Sequence, residues 1–325
     1  MDLTTEKSER RFRRFGILTI ASVFFLIFVG GLVRSTGSGM GCPDWPKCFD
    51  NWVPPTDVSQ LPPDYKERFK VAGHEIAEFD AYKTWTEYIN RLIGATTGLF
   101  VFFTVFFAIP YLKKDKNVFW LSFLAFILVG VEGWIGAKVV STNLSQWMIT
   151  IHMLIALIIV GLLIYTITRS QQFMIEPIKY DASLKPLMLV ILLLVTLQTL
   201  IGTQVRENID MLASIMGEQN RAKWVENLGI VYKIHRSFSL VSLIFIFWMM
   251  FKLRNSFART SMVYKSGLAM VILIAVQIFS GKVLEVLDFP RYVQSAHLFI
   301  GSLISGILLF ITLMIFTKTK ITQTT

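Results

Sequence analysis

The sequence predicts an all-α, polytopic membrane protein whose eight transmembrane helices form two tandem, pseudo-symmetric four-helix bundles. Three observations carry that prediction. Of the 325 residues, 54% are hydrophobic and only 17% charged, with a mean hydropathy of +0.56; a soluble globule is not that apolar. The apolar residues fall into eight continuous runs of roughly 20, the length a helix needs to cross the hydrocarbon layer. The chain also repeats itself. A shift of 145 positions lays Asn90-Arg91 on His235-Arg236, Glu132 on Gln277, Gly136 on Gly281 and His152 on His297. Because the runs are continuous rather than alternating, a membrane β-barrel is excluded.

The runs lie at roughly 15–33, 88–111, 118–138, 147–168, 185–205, 229–252, 263–285 and 292–316. They divide the chain into a basic segment 1–14, a first bundle 15–168, a linker 169–184, a second bundle 185–317 and a tail 318–325. The formal net charge of +10 invites a nucleic-acid partner, but its distribution excludes one. Basic residues collect at alternate ends of the runs: Arg10 to Arg14 before the first, Lys113 and Lys114 after the second, Arg169, Lys179 and Lys185 between the fourth and fifth, Arg254 and Arg259 between the sixth and seventh, Lys318 and Lys320 after the last. By the positive-inside rule those ends are cytoplasmic, and so are both termini. The acidic Asp2, Glu6 and Glu9 and the lack of a cleavage site make the first run an anchor rather than a removed targeting peptide.

Helix one ends in Gly30-Gly-Leu-Val-Arg34 and helix five in Gly202-Thr-Gln-Val-Arg206, an offset of 172. The first half therefore carries about 27 additional residues, placed in an outer loop from Ser35 to about Thr86. Six prolines between Pro43 and Pro63 bar continuous helix there. The loop holds both cysteines, Cys42 and Cys48, which an oxidising compartment would join as a disulfide. Two readings stand: a structural staple, or a redox pair exchanging with a partner. Two cysteines alone do not fill a zinc tetrahedron.

Helices two, four, six and eight run inward, and each carries a polar position, Asn90, His152, His235 or His297, within about six residues of its start. Ionisable groups at membrane depth point to function. Two imidazoles facing across a bundle suit the axial positions of heme iron. Zinc or copper would require further ligands that the second half lacks. His235 and His297 are therefore the expected ligands of one heme. In the first half His152 faces Asn90, a poor ligand, so a heme there has a more open face. Glu87, about one turn before Asn90, can share its pocket; its repeat partner is Tyr232. Glu132 is either a packed residue with a satisfied partner or a proton or substrate group. Arg34, Arg91, Arg206 and Arg236 are suited to heme propionates or to the lipid interface.

The run GGLVRSTGSGMGCPDWPKCFDNWVPPT, the segment EYINRLIG and the repeated histidine helices resemble the heme A synthase family across all eight helices. The resemblance implies a heme B cofactor between His235 and His297, and heme O as substrate in the first bundle. It implies oxidation of the heme O C8 methyl to formyl through a gem-diol, with Glu87 the catalytic acidic residue and Cys42 with Cys48 the outer cysteine pair. It further implies a bacterial inner-membrane location, heme O delivered by a farnesylating synthase, and oxidase assembly factors or a second copy of the chain as partners. Asn90 departs from the family, which usually has histidine there. His74 in the outer loop is the one spare histidine, either exposed or folded over the pocket. The alternatives are a b-type diheme electron-transfer cytochrome and a heme-binding assembly scaffold.

Overall fold

The computed structural model describes residues 3–171 and 181–316; Asp2, Lys179, Lys318, Lys320 and the tail 318–325 lie outside them. The described residues form no strand beyond two isolated bridges. Among the described residues eight helices are long and apolar enough to cross a membrane: α1 (Leu3–Ser35), α2 (Ala81–Ala108), α3 (Lys116–Ser141), α4 (Gln146–Ser170), α5 (Leu184–Met216), α6 (Gly229–Ser256), α7 (Met262–Val286) and α8 (Arg291–Phe316).

The chain divides into two compact units, Met1–Ser170 and Gln171–Thr325. Within each unit every helix packs on its neighbour in the chain, and the first also packs on the fourth: α1 on α4, α5 on α8. This closed up-and-down ring places α2 diagonally opposite α4, and α6 opposite α8. The helices that carry the repeated polar positions thus face each other across a bundle.

Local sequence explains where the helices begin. Asp80, Asp115 and Ser261 each accept a backbone N–H at the start of α2, α3 and α7, filling donors that the first turn leaves without partners. The α3–α4 and α7–α8 links are made alike. Asn143 and Leu144 adopt φ of 51° and 60°, and their counterparts Asp288 and Phe289 adopt 55° and 57°. In both links the second residue donates its N–H to a carbonyl five residues back, Leu144 to Val139 and Phe289 to Leu284, at 2.9 Å.

Three boundaries differ from the hydropathy runs, because hydropathy marks only what lies in lipid. α1 starts at Leu3, so the described part of the basic segment continues the first helix. It is tied down where Glu9, nearly buried, meets Lys114 and Arg13. Beside it Phe12 packs on Tyr111 at 5.0 Å, and burial, with Glu9 nearby, pushes the Tyr111 phenol up to about 12. α2 starts at Ala81 rather than Tyr88, its Asp80 cap ending the outer loop earlier than expected. α5 runs on to Met216, well past the end of its apolar run. That extension is amphipathic: Val205, Ile209 and Leu212 pack with Trp224, Leu228 and Phe289, while Arg206 pairs with Asp210 one turn on, at 2.9 Å. In the second unit the short segment before α5 is fixed by Asp181, whose carboxyl is held down to about 2 by hydrogen bonds from Lys252 and Ser183.

Candidate functional site

The outer loop of the first unit is a small folded body. Its core is Cys42, Cys48, Phe49, Leu61 and Tyr65, all buried, with Phe49 edge-on to Phe69 and Phe79 at 5.3 and 5.8 Å. Cys42 and Cys48 are joined as a disulfide, and neither is accessible. Phe49 and Asp50 turn through left-handed conformations, held by Asp44, whose carboxylate accepts both their N–H groups at 2.6 and 2.9 Å.

The loop lies directly on α2. Gly41 has no room for a side chain: a Cβ would stand 2.4 Å from the Lys83 carbonyl oxygen. At this contact Glu87, 4% exposed, accepts the Cys42 N–H at 2.8 Å and is paired with Arg91. Arg91 in turn donates to the carbonyls of Asp44, Lys47 and Cys42 at 2.6, 2.9 and 2.9 Å. Hydrogen bonds to charged groups contribute about 1.5–3 kcal/mol each, so this pair is the chief clamp between helix and loop. Arg91, read from sequence as a propionate partner, commits its guanidinium to the loop. The pairing with Glu87, four residues earlier, is a spacing the sequence displays, but the three carbonyl partners leave no mark in residue types.

The polar positions take equivalent seats. His152, His235 and His297 are each the seventh residue of their helix; Asn90 is the tenth, because α2 starts early. Each packs beside a glycine of the preceding helix. A Cβ would stand 3.0 Å from His235 at Gly202, 3.4 Å from His297 at Gly281, 3.6 Å from His152 at Gly136 and 4.0 Å from Asn90 at Gly30. The glycines leave the space that these rings fill.

In the second unit the His235 and His297 rings face each other with centroids 6.5 Å apart, planes inclined by 66°. Two imidazoles on opposite sides of one metal ion, with metal–nitrogen bonds of about 2 Å, have ring centres separated by about this distance. Gln198 Nε2 lies 3.3 Å from His235 Nδ1 and donates to the His235 carbonyl at 3.0 Å. Ser280 Oγ lies 2.8 Å from His297 Nδ1, and Gln277 Nε2 lies 3.1 Å from His297 Nε2. Buried polar atoms without hydrogen-bond partners accumulate here, Gln198 Oε1 and Gln277 Oε1 among them. Two imidazoles at this spacing fit a porphyrin-bound iron, which needs only axial ligands from the protein. Arg206 bonds Gln294 and pairs with Asp210; Arg236 pairs with Glu285 at 3.1 Å and stacks over Tyr232 at 5.7 Å.

In the first unit Glu132 Oε2 stands 3.3 Å from His152 Nδ1. Asn90 Oδ1, both Glu132 oxygens and His152 Nδ1 are buried without hydrogen-bond partners. Arg34 reaches Met153 Sδ at 3.8 Å. His74 is exposed, in a tight bridge between Val71 and His74, and the structure does not bring it to His152. Among the described residues no group of three or more His, Cys, Asp or Glu is placed to hold a bare metal ion.

The model of a family described as cytochrome oxidase assembly protein matches residues 13–310. The chain is 27% identical over 215 residues to the heme A synthase of Shewanella oneidensis, covering 66% of this chain and 62% of that protein. It is 28% identical over 207 residues to the heme A synthase of Pelagibacter ubique, covering 59% and 60%. These two matches thus span less than two thirds of either relative. A third, at 23% identity over 316 residues, covers 94% of this chain and 92% of the heme A synthase of Geobacillus kaustophilus.

Proposed function

We infer that this chain, which belongs to the family of cytochrome oxidase assembly proteins, is a heme A synthase, a multi-pass oxidoreductase that turns the C8 methyl of heme O into a formyl group. One observation carries the reading beyond the family: a single repeated seat is built with two histidines in one unit and with His152 and Asn90 in the other. Symmetric imidazoles suit electron transfer, whereas one strong ligand and an open opposite face suit reaction.

The second unit is the cofactor unit, with heme B held by His235 and His297. When bound, heme B supplies one-electron transfer. The protein fixes both rings through Gln198 and Ser280 and sets Arg206 and Arg236 in reach of the heme-bearing end of the bundle. The first unit takes heme O as substrate, with His152 as its axial ligand and Arg34 near the propionates. The oxidation is two successive hydroxylations, each a two-electron oxidation drawing on an external oxidant: the methyl becomes an alcohol, then a gem-diol, which loses water to leave the aldehyde. Glu87 serves this chemistry as the acidic residue at the loop contact. The farnesyl tail of heme O lies among lipid-facing apolar side chains, and the substrate comes from a farnesylating synthase through the bilayer. The chain lies in the cell membrane with both termini cytoplasmic, an orientation supported by the basic residues at alternate helix ends; oxidase assembly factors or a second copy are the natural partners.

The deciding experiment coexpresses the chain with a source of heme O and chromatographs the hemes extracted from the purified protein. Heme A or hydroxylated heme O beside heme B is the expected result; heme B alone would make the protein an electron relay. The Asn90 seat gives a separate spectroscopic prediction. Asn90→His should supply a second axial imidazole, turning the substrate heme from a form that binds carbon monoxide into a six-coordinate low-spin form that does not. Carbon monoxide difference spectra of the reduced protein read this directly.

A further inference from the structure

We propose that Glu132 is a positioning residue for the substrate heme. Its carboxylate stands against His152 Nδ1 at ion-pair distance and, once the substrate heme aligns the ring, takes the Nδ1–H and makes that imidazole a stronger donor to iron than either histidine of the second unit. The inference rests on the reading above that His152 holds the substrate.

Three histidines occupy repeated seats, and each has a different neighbour at Nδ1. For His235 it is the Gln198 amide at 3.3 Å, for His297 the Ser280 hydroxyl at 2.8 Å, and for His152 the Glu132 carboxylate at 3.3 Å. Only His152 has an anionic one. Among the described residues Glu132 has no competing partner: its Oε2 and His152 Nδ1 lie 3.3 Å apart, yet neither Glu132 oxygen nor His152 Nδ1 is hydrogen-bonded, so each is left for the other when the heme sets the ring. The acid is also not a packing requirement of the fold, because the equivalent position of the second unit is the neutral Gln277.

A carboxylate at membrane depth is costly to retain, so a glutamine that packs as well would be the less demanding residue. What the carboxylate adds is specific to a ligating histidine. A carboxylate on the second nitrogen fixes the tautomer and ring orientation and raises the basicity of the ligating nitrogen. Glu132 and Gly136 stand one helical turn apart on α3, so a single face of that helix supplies both the hollow for the ring and the group that orients it. The two heme sites are thereby tuned apart, electron-rich at the substrate and neutral at the cofactor.

The test is resonance Raman spectroscopy of the reduced protein loaded with heme O, reading the iron–histidine stretch, together with a heme O retention assay. Glu132→Gln is expected to lower that frequency and weaken heme O retention about 10–100-fold, the usual cost of removing such a partner. Glu132→Asp, which keeps the charge, should hold the frequency near the parent value. Equal shifts in both variants, or none in either, overturn the proposal. His152→Ala separates the two levels of inference. If the iron–histidine band survives it, the assignment of His152 is wrong; if the band is lost there but unmoved in Glu132→Gln, only the role of Glu132 fails. An independent arm installs the charge elsewhere: Gln198→Glu should lower the reduction potential of heme B, and an unchanged potential counts against the principle invoked.

Discussion

Replacing His235 or His297 by alanine is expected to abolish the low-spin b-type spectrum of the purified protein, each variant alone sufficing. The rings face each other at 6.5 Å, a gap that one axially ligated iron spans and that neither ring fills by itself. The loss should be complete rather than graded, because removing one ligand leaves no second strong donor: Gln198, Gln277 and Ser280 are amides and a hydroxyl. Alanine at position 297 also strands the Gln277 amide, at about 1–3 kcal/mol for a buried group left unsatisfied, while the Ser280 hydroxyl keeps the Gln277 carbonyl as its acceptor. The readout must therefore be heme per purified protein, by absorption and electron paramagnetic resonance, rather than yield. His74→Ala, in the exposed bridge of the loop, should leave the spectrum as it was. A low-spin signal that survives the loss of either ring would sink the assignment of the second unit.

The second large effect is expected at Glu87. Glu87→Gln keeps an oxygen that can accept the Cys42 N–H, so the loop should stay seated, but it removes the charge. Heme A formation should fall about 10²–10⁴-fold, the range for losing a positioned acid or base, while heme B content stays at the parent level. Glu87→Ala removes the acceptor as well and should loosen the loop besides. A glutamine variant with undiminished heme A, measured by chromatography of the extracted hemes, would show that the acid serves only as an anchor for the loop.

The architecture was legible in the sequence because lipid imposes a strong and simple rule on helix length and polarity, and because a duplication shows itself as a constant offset. The candidate ligands were legible for the same reason: an imidazole inside an apolar run is conspicuous. What was hidden had partners that leave no mark in the side-chain alphabet. Glu87 accepts a backbone amide and Arg91 donates to three backbone carbonyls, so neither engagement could be read from residue types. The α5 extension was hidden because Val205, Ile209 and Leu212 are too widely spaced to raise local hydropathy, although they line one face of a helix. The glycines beside each ring were visible as small residues, but their pairing with Asn90, His152, His235 and His297 needed coordinates.

The two left-handed links have a mechanical consequence. Asn143 and Asp288 each stand nine residues before a histidine, so the tight turn and the helix behind it act together as a gauge block, setting how far His152 and His297 sit from the hairpin tip and which way they look. A single residue inserted between turn and ring would swing the imidazole by about 100° around its axis, out of line with the opposite helix. Length in these two hairpins should thus be far less forgiving than in the long loop between α1 and α2, where no ring depends on the count.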